Sequence, residues 1–180
     1  MEEKAGTVKR IALLGAESTG KTTLARSLAL RFQTLWVPEY ARDYVNLNPG
    51  PVTAEQIEGI AREQLLQENS AAANANQFLF CDTEFIVAKV WCIDVHASCP
   101  LWIESQIKQH RYDLYLLTSN DLPWIPDPAR VNSQRRDYFF NWYKRELTEY
   151  NLPFEIINGR YEQRLLNAIR AIEKHFGKQD

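Results

Sequence analysis

Cysteine is scarce in this sequence and follows no ligand pattern. Cys81, Cys92 and Cys99 are odd in number and lack a C-x-x-C spacing, which excludes a disulfide framework and a zinc site and leaves buried or reduced thiols of a cytoplasmic protein. His96, His110 and His175 are scattered singly, so each reads as a surface or capping residue and not as a metal ligand. Long apolar runs are missing: no stretch approaches the ~18–20 apolar residues of a membrane span. The start, Met1-Glu2-Glu3-Lys4, is acidic and has no signal-peptide core. Charge of one sign is missing too. A formal net charge of −2 supplies no basic surface, so nothing electrostatic supports nucleic-acid binding. There is no internal repeat, low-complexity segment or interdomain linker. These absences leave a globular chain without a membrane or nucleic-acid partner.

What is present is alternation of strand and helix signals. With 180 residues and 45% hydrophobic composition, the chain can bury one substantial core, so residues 1–180 are expected to form a single domain. Apolar runs at 8–14, 34–38, 77–82, 112–117 and 154–157 read as five strands. Helical spacing follows through 22–30, from a capping box at Thr53–Gln56 through Ile57, Ile60, Ala61 and Leu65, through 85–96, from about Pro100, and through Phe139, Tyr143 and Leu147. A last helix is expected to bury Tyr161, Leu165, Ile169, Ile172 and Phe176. Asn46–Pro51 reads as a loop, and residues 120–136 are turn-rich, with Pro123, Pro126 and Pro128. The fold class is therefore α/β, with a mainly parallel sheet whose ligands sit at the C-terminal strand ends.

The first strand runs into Gly15-Ala16-Glu17-Ser18-Thr19-Gly20-Lys21-Thr22, which matches G-x-x-x-x-G-K-[ST] at every fixed position and lies between a strand and a helix, as that motif requires. Gly15 and Gly20 let the backbone curl around an anion, and the N–H groups from Glu17, Ser18 and Thr19 to Thr23 point inward at a helix N-terminus. Lys21 can reach the outer phosphates and the Thr22 hydroxyl can ligate Mg²⁺. The expected cofactors are therefore ATP and Mg²⁺.

The other strand ends supply the remaining candidates. Asp82 closes the third strand, where a carboxylate holds the metal in phosphoryl-transfer sites; it can equally cap the following helix. Glu39 follows the second strand, as a base or a ligand of substrate hydroxyls, or as an ordinary partner of Arg42. Arg130, Arg135 and Arg136 stand in or after the proline-rich stretch, where mobile arginines can stabilise charge on the transferring group; the alternative is a solvated basic turn. Tyr40, Tyr44, Trp91 and Trp124 can stack on a planar ring, and Asn158-Gly159-Arg160 can line an adenine pocket or form a plain turn.

The loop, Pro38-Glu39-Tyr40-Ala41-Arg42-Asp43-Tyr44, Asp82-Thr83-Glu84-Phe85 and Asp121-Leu122-Pro123-Trp124-Ile125-Pro126-Asp127 occur in this order. Together they resemble the ribosylnicotinamide kinase domain of the bacterial NadR proteins, in the NadR-like P-loop kinase family. The resemblance implies a nucleoside-kinase-like core with a five-stranded parallel sheet and a lid at about 120–136. It also implies transfer of the ATP γ-phosphate to the ribose 5′-hydroxyl of nicotinamide riboside. By the same resemblance, Glu39 and Asp82 face the hydroxyl and the metal, and Arg130, Arg135 and Arg136 belong to the lid. The alternatives are a kinase of another nucleoside or small metabolite and a nucleotide-dependent regulatory ATPase.

Overall fold

The computed structural model describes residues 7–109, 112–126 and 132–178. Arg130 lies outside the described residues. Five strands, β1 (Lys9–Leu14), β2 (Leu35–Val37), β3 (Phe78–Asp82), β4 (Leu114–Thr118) and β5 (Phe154–Ile157), form one sheet in the order β2-β3-β1-β4-β5, every neighbouring pair parallel. Seven α-helices flank it: α1 (Lys21–Arg31), α2 (Tyr40–Leu47), α3 (Ala54–Ala72), α4 (Phe85–His96), α5 (Leu101–Gln109), α6 (Arg136–Glu149) and α7 (Glu162–Phe176).

The central strands are buried throughout β3 and β4 and from Ile11 onward in β1, which is why they read as unbroken apolar runs: a parallel strand covered on both faces has no polar side to alternate with. Successive side chains still point to opposite faces. Ile11 and Leu13 join the cluster formed with Leu24 and Leu28 of α1 and Ala168 and Ile172 of α7. Ala12 and Leu14 join the one formed with Ile57 of α3, Ile86 and Val90 of α4, Ile103 of α5 and Leu147 of α6. Register fixes the functional end: Leu13 stands opposite Asp82, and Leu14, which precedes the loop, opposite Leu117.

Two expectations need correction. No helix was expected after β2, yet α2 spans Tyr40–Leu47 and takes in part of the expected 46–51 loop. It is two turns long, has no buried residue and no side-chain cap, so it offers too short a window for a 3.6-residue pattern. The expected stripe of α7 is also displaced. Tyr161 precedes the helix and is 82% exposed, while the buried line is Arg164, Ala168, Ala171 and Ile172, with Leu165, Ile169 and Phe176 packed beside it. The larger aliphatics masked a stripe made of small residues and an arginine. The capping box at the start of α3 is present as expected: Gln56 N donates to Thr53 Oγ1 (3.2 Å) and Thr53 N to Gln56 Oε1 (2.8 Å).

Candidate active site

The loop from Gly15 to Gly20 leaves the central strand and turns into α1. Gly15 has φ +148° and no room for a side chain, since a Cβ there would lie 2.2 Å from Thr118 Oγ1. Gly20 adopts the left-handed conformation at φ +79° as the N-cap of α1, a conformation that costs glycine little. Thr19 is buried and structural: its hydroxyl donates to Ala16 O (2.8 Å) and shares a hydrogen bond with Thr118 Oγ1 (2.7 Å). No acidic residue occupies the first turn of α1, so the positive end of the helix is left for an anion. Lys21 Nζ folds back on the loop, donating to Gly15 O (2.9 Å) and Ala16 O (3.0 Å). Thr22 and Thr23 follow on the exposed first turn.

Thr22 Oγ1 donates to Asp82 Oδ2 at 2.5 Å, which joins the two residues expected to hold a metal. Asp82 is 0% exposed, and its Oδ1 has no hydrogen-bond partner among the described residues. Burial raises its pKa, against the opposing pull of Lys21, the Thr22 hydroxyl and Arg42. The helix-capping alternative falls to its neighbour: Glu84 caps α4, accepting from Ile86 N (2.8 Å) and Val87 N (3.3 Å), and burial pushes its pKa up to about 8. Asp82 is therefore free of that task. A buried carboxylate oxygen without a partner beside a hydroxyl is a set of hard oxygen donors that fits Mg²⁺. Among the described residues no group of three or more His, Cys, Asp or Glu is placed to hold a metal ion by itself. Between Asp82 and Glu84, Thr83 takes φ +72°, its N–H donating to Leu13 O (3.0 Å).

Glu39, the N-cap of α2, is half-buried at the same end of the sheet, with Arg42 Nε 3.7 Å from its Oε2. Its pKa is raised, first by burial; Lys21 and Arg42 pull it down, and Asp82 and Glu17 push it up. Those influences place it within the electrostatic reach of the phosphate loop.

The proline-rich segment packs against the loop. Ser18 Oγ accepts from Ile125 N (2.9 Å) and donates to Pro123 O (3.5 Å), and Glu17 accepts from Asn132 N (3.0 Å) and Nδ2 (3.3 Å). The two arginines described there differ. Arg136 Nη2 donates to Ser18 O (3.3 Å), while its buried Nε has no hydrogen-bond partner among the described residues. Arg135 is committed to Asp94 of α4 (2.5 and 2.9 Å) and lies over the rings of Tyr138 and Phe139.

A cavity of about 580 Å³ runs from the loop between α2, α3, α4 and α6. Four carboxylates line it (Glu17, Glu39, Glu84, Asp94) against two cations (Lys21, Arg42), and its apolar wall includes Val52, Ile57, Phe85, Trp91, Phe139 and Tyr143. Of the aromatics singled out in the sequence, Trp91 alone lines it. Tyr40 and Tyr44 lie beside each other, ring centroids 6.4 Å apart, while α2 presents Ala41, Arg42 and Val45 to the cavity. Trp124 is half-buried outside that wall. Asn158 and Arg160 are exposed beyond the end of β5, with Asn158 accepting from Asn167 Nδ2 (3.0 Å). Phe139, Tyr143, Asp94 and Arg164 were missed as site residues. The first two read only as core positions of a helix, and Arg164 shows in the sequence solely as a polar interruption of the α7 pattern.

Taken together, the site offers an anion cradle, a lysine folded back on that cradle, a fitting place for a divalent cation, a carboxylate with a raised pKa and a chamber with an apolar wall. Groups of these kinds are the ones that phosphoryl transfer to a small acceptor uses. Residues 10–164 match the AAA domain family. The trifunctional NAD biosynthesis/regulator protein NadR of Salmonella typhimurium is 30% identical over 179 residues, covering 96% of this chain and 44% of NadR, so the chain spans less than half of that relative. A crystal structure of NadR in complex with NR aligns with TM-score 0.79 at 26% identity, over 96% of this chain and 53% of that one. Another, with NAD and AMP-PNP, gives 0.73 at 25% identity, over 97% and 51%. Thymidylate kinase from Candida albicans, TM-score 0.65 at 12% identity over 93% and 92%, shares the fold alone.

Proposed function

We propose that this chain, which belongs to the AAA domain family and is a homologue of NadR, transfers the γ-phosphate of ATP to the ribose 5′-hydroxyl of nicotinamide riboside, giving nicotinamide mononucleotide. The observation that carries the reading is the Thr22–Asp82 hydrogen bond with its unpartnered Asp82 Oδ1, at the end of the sheet where a carboxylate-lined cavity opens on the phosphate loop. The backbone N–H groups of the loop receive the ATP phosphates, and Lys21 leaves the Gly15 and Ala16 carbonyls to meet them. Thr22 and Asp82 would hold Mg²⁺, which when bound neutralises phosphate charge. Glu39 accepts the proton of the acceptor hydroxyl, and burial, by raising its pKa, moves it toward the range where a general base works best. Of the two described arginines of that segment, Arg136 is the one hydrogen-bonded to the loop, at Ser18 O. Trp91, on the apolar wall of the cavity, offers a flat cationic acceptor such as a pyridinium ring a face to stack on.

A coupled ADP-release assay at saturating Mg-ATP tests this. Nicotinamide riboside should be turned over with a higher kcat/KM than uridine, cytidine or thymidine, and little ADP should appear without an acceptor. Preference for a neutral nucleoside overturns the substrate. Acceptor-independent turnover at full rate overturns the kinase in favour of a regulatory ATPase.

A further inference from the structure

A guanidinium taken out of water is costly unless its donors are satisfied. Arg164 of α7 is 3% exposed, and all of its hydrogen bonds point to the ligand end of the sheet. Nη1 donates to Thr19 O (3.0 Å), Nε to Gly159 O (2.9 Å) and Nη2 to Ser119 O (3.3 Å), with Asp121 completing the fork through its carboxylate. The three carbonyls belong to the turns that leave β1, β5 and β4, which are neighbours in the sheet. Asp121 ties two of these turns, those after β4 and β5, a second time, accepting from Ser119 Oγ (2.8 Å) and Gly159 N (2.6 Å).

We infer that Arg164 is a positioning residue for nucleotide binding, fixing the phosphate loop from behind and locking to it the turns after β4 and β5. The inference rests on the kinase reading above. A trans peptide sends its C=O and its N–H in opposite directions. Holding the Thr19 carbonyl on Arg164 therefore turns the Gly20 N–H away from α7 and into the anion cradle. Docking of α7 alone does not need this arrangement, because Ala168, Ala171 and Ile172 already bury that helix against the sheet. Lysine cannot replace the fork: an ammonium is a point charge on a flexible stem and does not hold three carbonyls in fixed geometry.

The test compares the wild-type chain with R164K and D121N, measuring Mg-ATP affinity by calorimetric titration, acceptor KM by ADP release, and Tm. R164K should raise the Kd for Mg-ATP by about 10–100-fold, the loss typical when a partner that orients a binding group is removed, and should leave the acceptor KM unchanged. A merely structural role would lower Tm without this split. A folded R164K that binds Mg-ATP as tightly as wild type overturns the inference. Should R164K fail to fold, D121N decides: it takes away the charged member of the four acceptors around the guanidinium and loosens the Gly159 turn, so it should weaken Mg-ATP binding in the same direction by a smaller factor, and unchanged affinity overturns the inference. A wild-type chain that does not bind Mg-ATP overturns the kinase reading itself.

Discussion

On the proposed reaction, Lys21 is one side chain that carries a disproportionate share of the chemistry. Its ammonium rests on two loop carbonyls, so it is stored beside the place where phosphate charge arrives. Lys21→Ala should leave the fold intact and lower kcat by ~10²–10³, about 3–4 kcal/mol of transition-state stabilisation, as read from ADP release alongside an unchanged circular dichroism spectrum. The two carboxylates should fail differently. If Asp82 holds the metal as proposed, raising Mg²⁺ should restore part of the activity of Asp82→Asn. If Glu39 is the base, added Mg²⁺ should not help Glu39→Gln. In the wild type kcat/KM should fall as pH drops through the raised Glu39 pKa, and the variant should lack that acid limb. An identical Mg²⁺ response in the two variants would sink this division of labour. At this scale the loop, Asp82 and Glu39 were legible in the sequence as positions at the ends of apolar runs: the loop follows β1, Asp82 closes β3, and Glu39 stands just beyond Pro38 after β2. The ring-binding wall was less legible. Tyr40 and Tyr44 looked like acceptor contacts, but a helix the sequence did not announce turns them aside and presents Ala41 and Val45 to the cavity.

Elements show the same contrast. Strands covered on both faces declared themselves as apolar runs, and α3 was legible at its first residue because a capping box is a local, two-way hydrogen-bond pattern. Thr53→Ala should cost about 1 kcal/mol, the usual loss for an N-cap, measurable as a lower urea midpoint at unchanged slope. The cost should leave kcat alone, since Thr53 does not line the cavity. What escaped the sequence was geometry set by tertiary contact. The α7 stripe of small residues around Arg164 exists because three turns from distant parts of the chain meet there, and no window along the sequence contains that fact.

The molecule as a whole keeps acids in its interior. Glu68 is fully buried, accepts from Tyr112 Oη (3.0 Å to each oxygen) and lies near Arg10 (3.6 Å); burial pushes its pKa up to about 7. Glu84, buried as the cap of α4, is pushed to about 8. An acid with a raised folded-state pKa binds more protons in the native than in the unfolded chain between its two pKa values, so stability falls as pH rises through that window. Tm should therefore decline from about pH 5 to pH 8 by this linkage, and Glu68→Gln, which keeps a hydrogen-bonding side chain without the titration, should flatten the decline; an equally steep profile in the variant would refute the assignment. Thr83 extends the matter from pH to design. A β-branched residue at φ +72° sits where its backbone strain costs about 1–3 kcal/mol, and it does so between Asp82 and Glu84. The chain thus keeps a standing tension in its peptide backbone beside the carboxylate proposed to hold the metal, a trade of durability against performance. Thr83→Gly should relax that tension, gaining on the order of 1 kcal/mol in denaturant titrations once the added freedom of the unfolded chain is counted. The same variant should turn over more slowly, because a looser backbone aims Asp82 less sharply, so selection for a tougher protein would find this position and spoil it as an enzyme.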